Sequence, residues 1–267
     1  MTHLEHYFSA NQKIWDTRTP LHVASDFYDV QAFIDGKSSL TEIEVNELGD
    51  IRDRDILHLQ CHFGMDTLSL ARLGARVTGV DFSAAAIRQA RQLAEQTNLN
   101  ADFHCCNVYE VANHVTDTFD IVFTSYGVLG WLPDLRSWAR IVTDRLRPGG
   151  FLYLLEFHPH YSQLDDNGNV AYQYFHSTVP DEDLNTVTYA DRAEHEPLPD
   201  YWWNHTLGDV INALIEAGLN LHWFREFPFS TYRLSEAMEE QQPGRWVFPG
   251  VRGQIPYEYS IRAERPK

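Results

Sequence analysis

The chain holds three cysteines, is short of basic residues and has no long apolar run. Cys61, Cys105 and Cys106 form no disulfide framework, and no C-x-x-C pair is present to hold zinc. Cys105 and Cys106 are adjacent on a predicted strand, so they point to opposite faces. No apolar stretch reaches the roughly 18–20 residues that cross a bilayer, so no membrane partner is expected. Residues 1–10 are polar and lack the apolar core of a secretory signal, which makes a cytoplasmic location the expectation. Lysine and arginine number 21 against 38 acidic residues, a formal net charge of -17. Such a chain repels a phosphate backbone unless a basic patch compensates, and none is present. Arg88 and Arg91 share one predicted helix and read as a solvated face. Nucleic acid is therefore a poor substrate, whereas a small molecule is compatible with the charge. His158-x-His160 could suggest a metal, but spacing places no third ligand, and no metal is expected.

What is present is a strand–helix rhythm. The 267 residues suffice for one large α/β domain or two small ones. Residues 56–59 predict a first strand, 66–73 a helix closed by Gly74, and 76–80 a second strand. Ser83 is placed to cap the next helix, followed by a strand over 101–106. Strands follow at 119–124 and 151–157, separated by a helix that Asp134 caps and Pro148-Gly149-Gly150 stops. Thr206-x-x-Asp209 opens another helix, ended by Gly218, before strands at 219–227 and 257–263. Residues 158–205 break the rhythm and are rich in Tyr, Trp, His, Asp and Pro. At the N-terminus, residues 4–15 predict a short helix that Thr19-Pro20 breaks. The fold class is thus α/β, with a mostly parallel sheet covered by helices on both faces.

Ligands of such sheets sit at the carboxyl ends of the strands. The residues predicted there are Gln60, Cys61, His62, Gly64, Asp81, Phe82, Asn107, Val108, Ser125 and Tyr126. Asp81, at the tip of the second strand, stands where a carboxylate can hold a ribose. A dinucleotide fingerprint G-x-G-x-x-G fails here, because Gln60, His62 and Met65 occupy its glycine positions.

The series L-H-L-Q-C-H-F-G, V-T-G-V-D-F-S, F-D-I-V-F-T-S-Y-G-V-L and L-R-P-G-G-F-L-Y-L resembles the motif set of class I S-adenosylmethionine-dependent methyltransferases. It covers about residues 55–157. The first motif and residues 15–28, 125–131 and 156–159 are similar to a bacterial subgroup of uncharacterised methyltransferases. The resemblance implies a Rossmann-like, seven-stranded sheet over 51–267, with 1–50 as an N-terminal helical arm or lid and 158–205 as a substrate-side insertion. It implies S-adenosyl-L-methionine as cofactor. Asp81 would accept from both ribose hydroxyls, Phe82 would pack on the adenine, and Asn107 and the Val108 backbone would bond its edge. Gln60 and His62 replace two customary glycines, and their side chains are expected on the cofactor's methionine carboxylate. A non-catalytic cofactor-binding or regulatory protein is the alternative.

Methyl transfer from a sulfonium is a one-step displacement, so alignment supplies most of the catalysis and a base is needed only for a protonated nucleophile. Glu156, His158, His160, His176 and His205 are candidate bases, and His158, after the fifth strand, is the choice among them. Aromatic density between 161 and 203 suits both packing and an apolar or aromatic acceptor pocket. The acceptor atom and the oligomeric state stay open.

Overall fold

Capping chemistry and strand periodicity lay out the chain much as expected. The computed structural model describes residues 3–267 except 192, 194 and 252. Three helices come first: α1 (His3–Ala24), α2 (Val30–Ile34) and α3 (Glu42–Leu48). The alternation then runs β1 (Asp55–Leu59), α4 (Met65–Arg72), β2 (Arg76–Asp81), α5 (Ala84–Thr97), β3 (Asp102–Cys105), α6 (Val111–His114), β4 (Phe119–Thr124), α7 (Leu135–Arg145) and β5 (Leu146–Phe157). A hairpin of β6 (Asp181–Asn185) and β7 (Leu198–Trp202) precedes α8 (Leu207–Glu216) and β8 (Asn220–Phe227). A second hairpin, β9 (Glu239–Gln242) and β10 (Arg245–Val247), leads into β11 (Glu258–Glu264).

The main sheet has seven strands in the order β3-β2-β1-β4-β5-β11-β8. The first five are parallel, and β11 is antiparallel to both its neighbours. Strand order reverses between β1 and β4, which leaves a crevice at their carboxyl ends. Alternation in β1 shows why the strands read as apolar runs. Leu57 and Leu59 join Trp138, Val142 and Leu214 on one face, while Ile56 joins Phe123 and Tyr153 on the other. Near the α4–α5 side, Phe63, Leu68, Ile87 and Leu93 form a third cluster.

The predicted caps are in place. The Ser83 hydroxyl accepts from the Ala86 N–H and the Asp134 carboxylate from the Ser137 N–H. Thr206 and Asp209 make the reciprocal box. Gly74 and Gly218 take positive φ just past their helices.

Three expectations are corrected. Pro20 does not break the first helix, which continues to Ala24. The proline removes one backbone bond, at a cost of about 3 kcal/mol. Tertiary bonds of about 1 kcal/mol each offset this: Asn11 exchanges two bonds with the Tyr201 backbone (2.7 and 2.9 Å), and Arg18 pairs with Asp200 at 2.8 Å. Second, Pro148-Gly149-Gly150 does not separate helix from strand. The strand begins at Leu146, and the register against β4 jumps from Phe119–Leu146 to Ile121–Phe151 around the turn. Gly150 is needed there, because a Cβ would lie 2.8 Å from the Asp120 carbonyl. Third, the hairpin β9–β10 has no counterpart in the sequence reading; its strands are short and β9 is wholly exposed.

Gly79, on β2, is packed face-on by Phe103, and a Cβ would sit 2.7 Å from that ring and 2.9 Å from the Cys61 sulfur. Gly79→Ala is expected to lower stability by about 1–3 kcal/mol through overpacking. Urea unfolding checks it, and a change below the error of extrapolation would show that β2 yields.

Candidate functional site

A cavity of about 1040 Å³ lies at the crevice, at the large end of the ~300–1,000 Å³ range of small-molecule sites. All ten residues predicted at the strand ends line it: Gln60, Cys61, His62, Gly64, Asp81, Phe82, Asn107, Val108, Ser125 and Tyr126.

The turn after β1 takes a glycine-like path without glycines. Gln60 and His62 have φ of 57° and 50°, in the left-handed region, beside Gly64 at 82°. Each non-glycine residue there costs of order 1–3 kcal/mol. Bonds around the turn hold it. The Cys61 N–H donates to the Val80 carbonyl at 2.9 Å, and the His62 N–H donates to Asp81 Oδ2 at 2.9 Å. The Gln60 amide donates to the Val128 carbonyl at 3.0 Å. The His62 ring packs among Trp15, His22, Tyr28 and Phe63 at centroid separations of 4.5–5.6 Å. Burial keeps this imidazole neutral by lowering its pKa well below the ordinary value.

Asp81 is 7% exposed. Its Oδ1 accepts from the Ser83 N–H at 2.8 Å. Burial pushes its pKa up to about 6, against the pull of its backbone donors. A carboxylate has about four lone-pair sites. The His62 and Ser83 bonds take one site on each oxygen and the Phe82 N–H also acts on the carboxylate, which leaves acceptor capacity for a ligand hydroxyl. Asn107 Oδ1 accepts from the Tyr109 N–H at 3.1 Å and so caps the turn after β3.

On two residues of the cavity wall a buried polar atom, Gln60 Oε1 and His62 Nε2, has no partner among the described residues. A nucleoside bearing an amino-acid tail fits these groups: a diol acceptor at Asp81, an aromatic side chain at Phe82 beside it, and the polar residues Gln60 and His62 on the 60–64 turn.

The structure does not bring His158 to the cavity. Its Nδ1 accepts from the His160 N–H at 3.0 Å, so Nε2 carries the proton and donates to Glu226 at 3.1 Å. His160 is taken by Gln163, and His176 donates to the Asn204 carbonyl while stacking on His205. His205 does line the cavity, donating from Nε2 to the Leu132 carbonyl at 2.6 Å, and burial lowers its pKa to about 4. Glu156 is a clamp. Its oxygens accept from the N–H groups of Gly127, Val128 (2.9 Å), Leu129 (3.0 Å) and Phe157 (2.7 Å), which shapes the turn after β4.

Sequence reasoning pointed to 1–50 and to the aromatics of 161–203 as segments but singled out none of the far-wall residues Trp15, Tyr28, Asp66, Tyr189, Trp203 and Tyr232 as lining the cavity. They come from four segments far apart in the chain. Asp66 alone carried a local signal, an acid in the first turn after the loop, and that position reads equally well as a helix-dipole partner.

Residues 56–150 match the sequence model of a family described as a methyltransferase domain. An S-adenosylmethionine-dependent methyltransferase from Mesorhizobium loti superposes with a TM-score of 0.56 at 20% identity, covering 87% of this chain and 100% of that one. The fold is that of the S-adenosylmethionine-dependent methyltransferases. A Pyrococcus horikoshii OT3 protein superposes at 0.61 with 16% identity, over 92% of this chain and 95% of its own. By sequence, 105 residues are 31% identical to a ubiquinone biosynthesis O-methyltransferase of Xanthomonas oryzae pv. oryzae, which is 39% of this chain and 44% of the relative. The chain thus spans less than half the length of the curated relatives it matches. The family-model match runs from β1 into the start of β5, the sheet half that carries the crevice.

Glu156→Gln sets an amide NH2 against backbone donors. It is expected to cost about 1–3 kcal/mol of stability, read as a lowered urea midpoint; an unchanged midpoint would mean that the four donors are satisfied without the carboxylate.

Proposed function

We propose that the chain catalyses S-adenosylmethionine-dependent methyl transfer to a small-molecule acceptor. The observation that carries this is Asp81, buried at the tip of β2 in the cavity wall, with acceptor capacity left beyond its backbone bonds and beside the 60–64 turn. Asp81 holds the ribose diol. Phe82 and Val108 border the adenine end, with Asn107 beside them, and the 60–64 turn borders the methionine end. The altered glycines do not weigh against binding, because Gln60 and His62 retain the left-handed backbone that glycines would supply.

When bound, the cofactor supplies a methyl group on a sulfonium, a leaving group that departs neutral. The protein's share is to align the acceptor and exclude water, which together account for roughly 7–11 kcal/mol in well-oriented reactions. The aromatic wall of Trp15, Tyr28, Trp131, Tyr189 and Tyr232 supplies a dry, shaped acceptor space. Residues 1–50 act as a lid and residues 158–205 as the acceptor-side insertion. The two meet where the hydroxyls of Tyr28 and Tyr189 share a hydrogen bond of 2.5 Å. His205 is the cavity-lining histidine whose Nδ1 is left as an acceptor by its bond to Leu132.

Incubation with methyl-labelled cofactor and a metabolite extract tests the reading, with labelled product expected; binding without transfer to any metabolite would favour the non-catalytic alternative. Asp81→Asn is expected to weaken S-adenosylhomocysteine binding about 10- to 100-fold by calorimetry, the scale of losing charge-assisted bonds. His158→Ala should leave that affinity within about twofold, since the side chain lies outside the cavity.

Acidity gives a further check. The folded pKa of Asp81 is about 6, above the roughly 3.9 of an unfolded aspartate. The folded chain therefore binds the extra proton between those values, and stability falls as pH rises through that window. Cofactor binding needs the carboxylate and moves the other way, so affinity should rise as pH passes 6 and level off above 7. A flat profile between pH 5 and 7.5 would place the ribose elsewhere.

A further inference from the structure

We infer that Asp66, in the first turn of α4, is the carboxylate that anchors the α-ammonium of the cofactor's amino-acid tail. This rests on the methyltransferase reading and goes beyond it, to a residue outside the sequence-predicted site. A cationic amine in a dry cavity needs an ionised acceptor or several neutral ones. The carboxylates that line the cavity can be taken in turn.

Asp81 is committed to the backbone of two turns and to the diol. Glu156 is saturated by four N–H donors. Asp200 pairs with Arg18 at 2.8 Å. Asp183 lies on the β6–β7 hairpin and accepts from the Trp202 indole. The remaining acids other than Asp66 are at the exposed rim. Asp29 there faces Lys37 at 3.8 Å, and Asp26 and Asp166 are exposed.

Asp66 differs from all of these. It sits two residues beyond Gly64, at the end of the cofactor turn, and lines the cavity. Its partners are hydroxyls: Ser125 donates to Oδ2 at 3.2 Å, and Ser39 also bonds the carboxylate. Neither brings positive charge. Burial raises its pKa, and among the described residues no cation pairs with it. The neighbouring strand tip offers no substitute. His58 is 2% exposed, bonded through Nδ1 to the Thr67 hydroxyl, and burial keeps it neutral, with a pKa lowered to about 3. A ligand ammonium beside Asp66 would supply a counter-charge, and Gln60 and His62 line the same cavity.

The test compares two ligands by calorimetry on the full chain. S-adenosylhomocysteine carries the amino-acid tail, and 5′-methylthioadenosine keeps the nucleoside and thioether but lacks it. Asp66→Asn should weaken S-adenosylhomocysteine about 10- to 100-fold, the scale of a charge-assisted bond, and leave 5′-methylthioadenosine within about twofold. Asp66→Glu, which keeps the charge, should restore most of the preference for the tailed ligand. Equal weakening of both ligands by Asp66→Asn would assign the residue to the shape of the turn and overturn the inference. So would unchanged binding of both. Failure of the unaltered protein to bind either ligand would overturn the methyltransferase reading together with this assignment; normal binding by the unaltered protein with an indifferent Asp66→Asn would overturn the assignment alone.

Discussion

The Asp81 carboxylate is the joint on which the site hangs. One oxygen takes the His62 N–H and the other the Ser83 N–H, so the turn after β1 and the turn after β2 are fixed to one another. The same junction carries the N-terminal arm. Ser83 donates to Asp16 of α1 at 2.7 Å, the Ala85 N–H donates to the same Asp16 oxygen, and Gln12 reaches the Phe82 carbonyl at 2.6 Å. Desolvation opposes this arrangement and backbone donors oppose the desolvation, which is why the acid is poised near pH 6. A group balanced in this way is inexpensive to ionise further when a ligand adds donors.

The left-handed residues of the first turn belong to the same balance. Backbone strain at Gln60 and His62 persists only because surrounding bonds over-determine it. The Val80, Val128 and Asp81 acceptors and the aromatic packing around His62 do this. In exchange the turn presents two side chains where glycines would present none. Negative charge also gathers at this end of the sheet with few cations to neutralise it, since Arg18 and Lys37 already face Asp200 and Asp29. Such a cavity complements a cationic ligand rather than a phosphate.

Much of the sheet could be read directly. Strand runs at 56–59, 76–80 and 119–124 and the caps at Ser83, Asp134 and Thr206 are local signals, decided by side chains within a few residues of the backbone they satisfy. Pro20 misled for the converse reason. Its local penalty is real, but α1 is held by Asn11 and Arg18 bonding the β7 strand some 180–190 positions away. The strand preceding Gly150 was hidden because its pairing depends on a register shift against β4. His158 looked like a base by its place after β5, yet its ring turns to Glu226, a direction that only packing determines.

By itself, the order of residues determined the α/β class, the run of parallel strands and the strand-end residues from Gln60 to Tyr126 that line the crevice, because short-range periodicity and turn chemistry encode them. Tertiary structure alone decided which histidines face the cavity, that Tyr28 meets Tyr189 across 161 positions, and that Asp66 lies against Ser125. Side-chain direction and charge environment depend on the elements packed opposite, and no window of sequence contains both sides of such a contact.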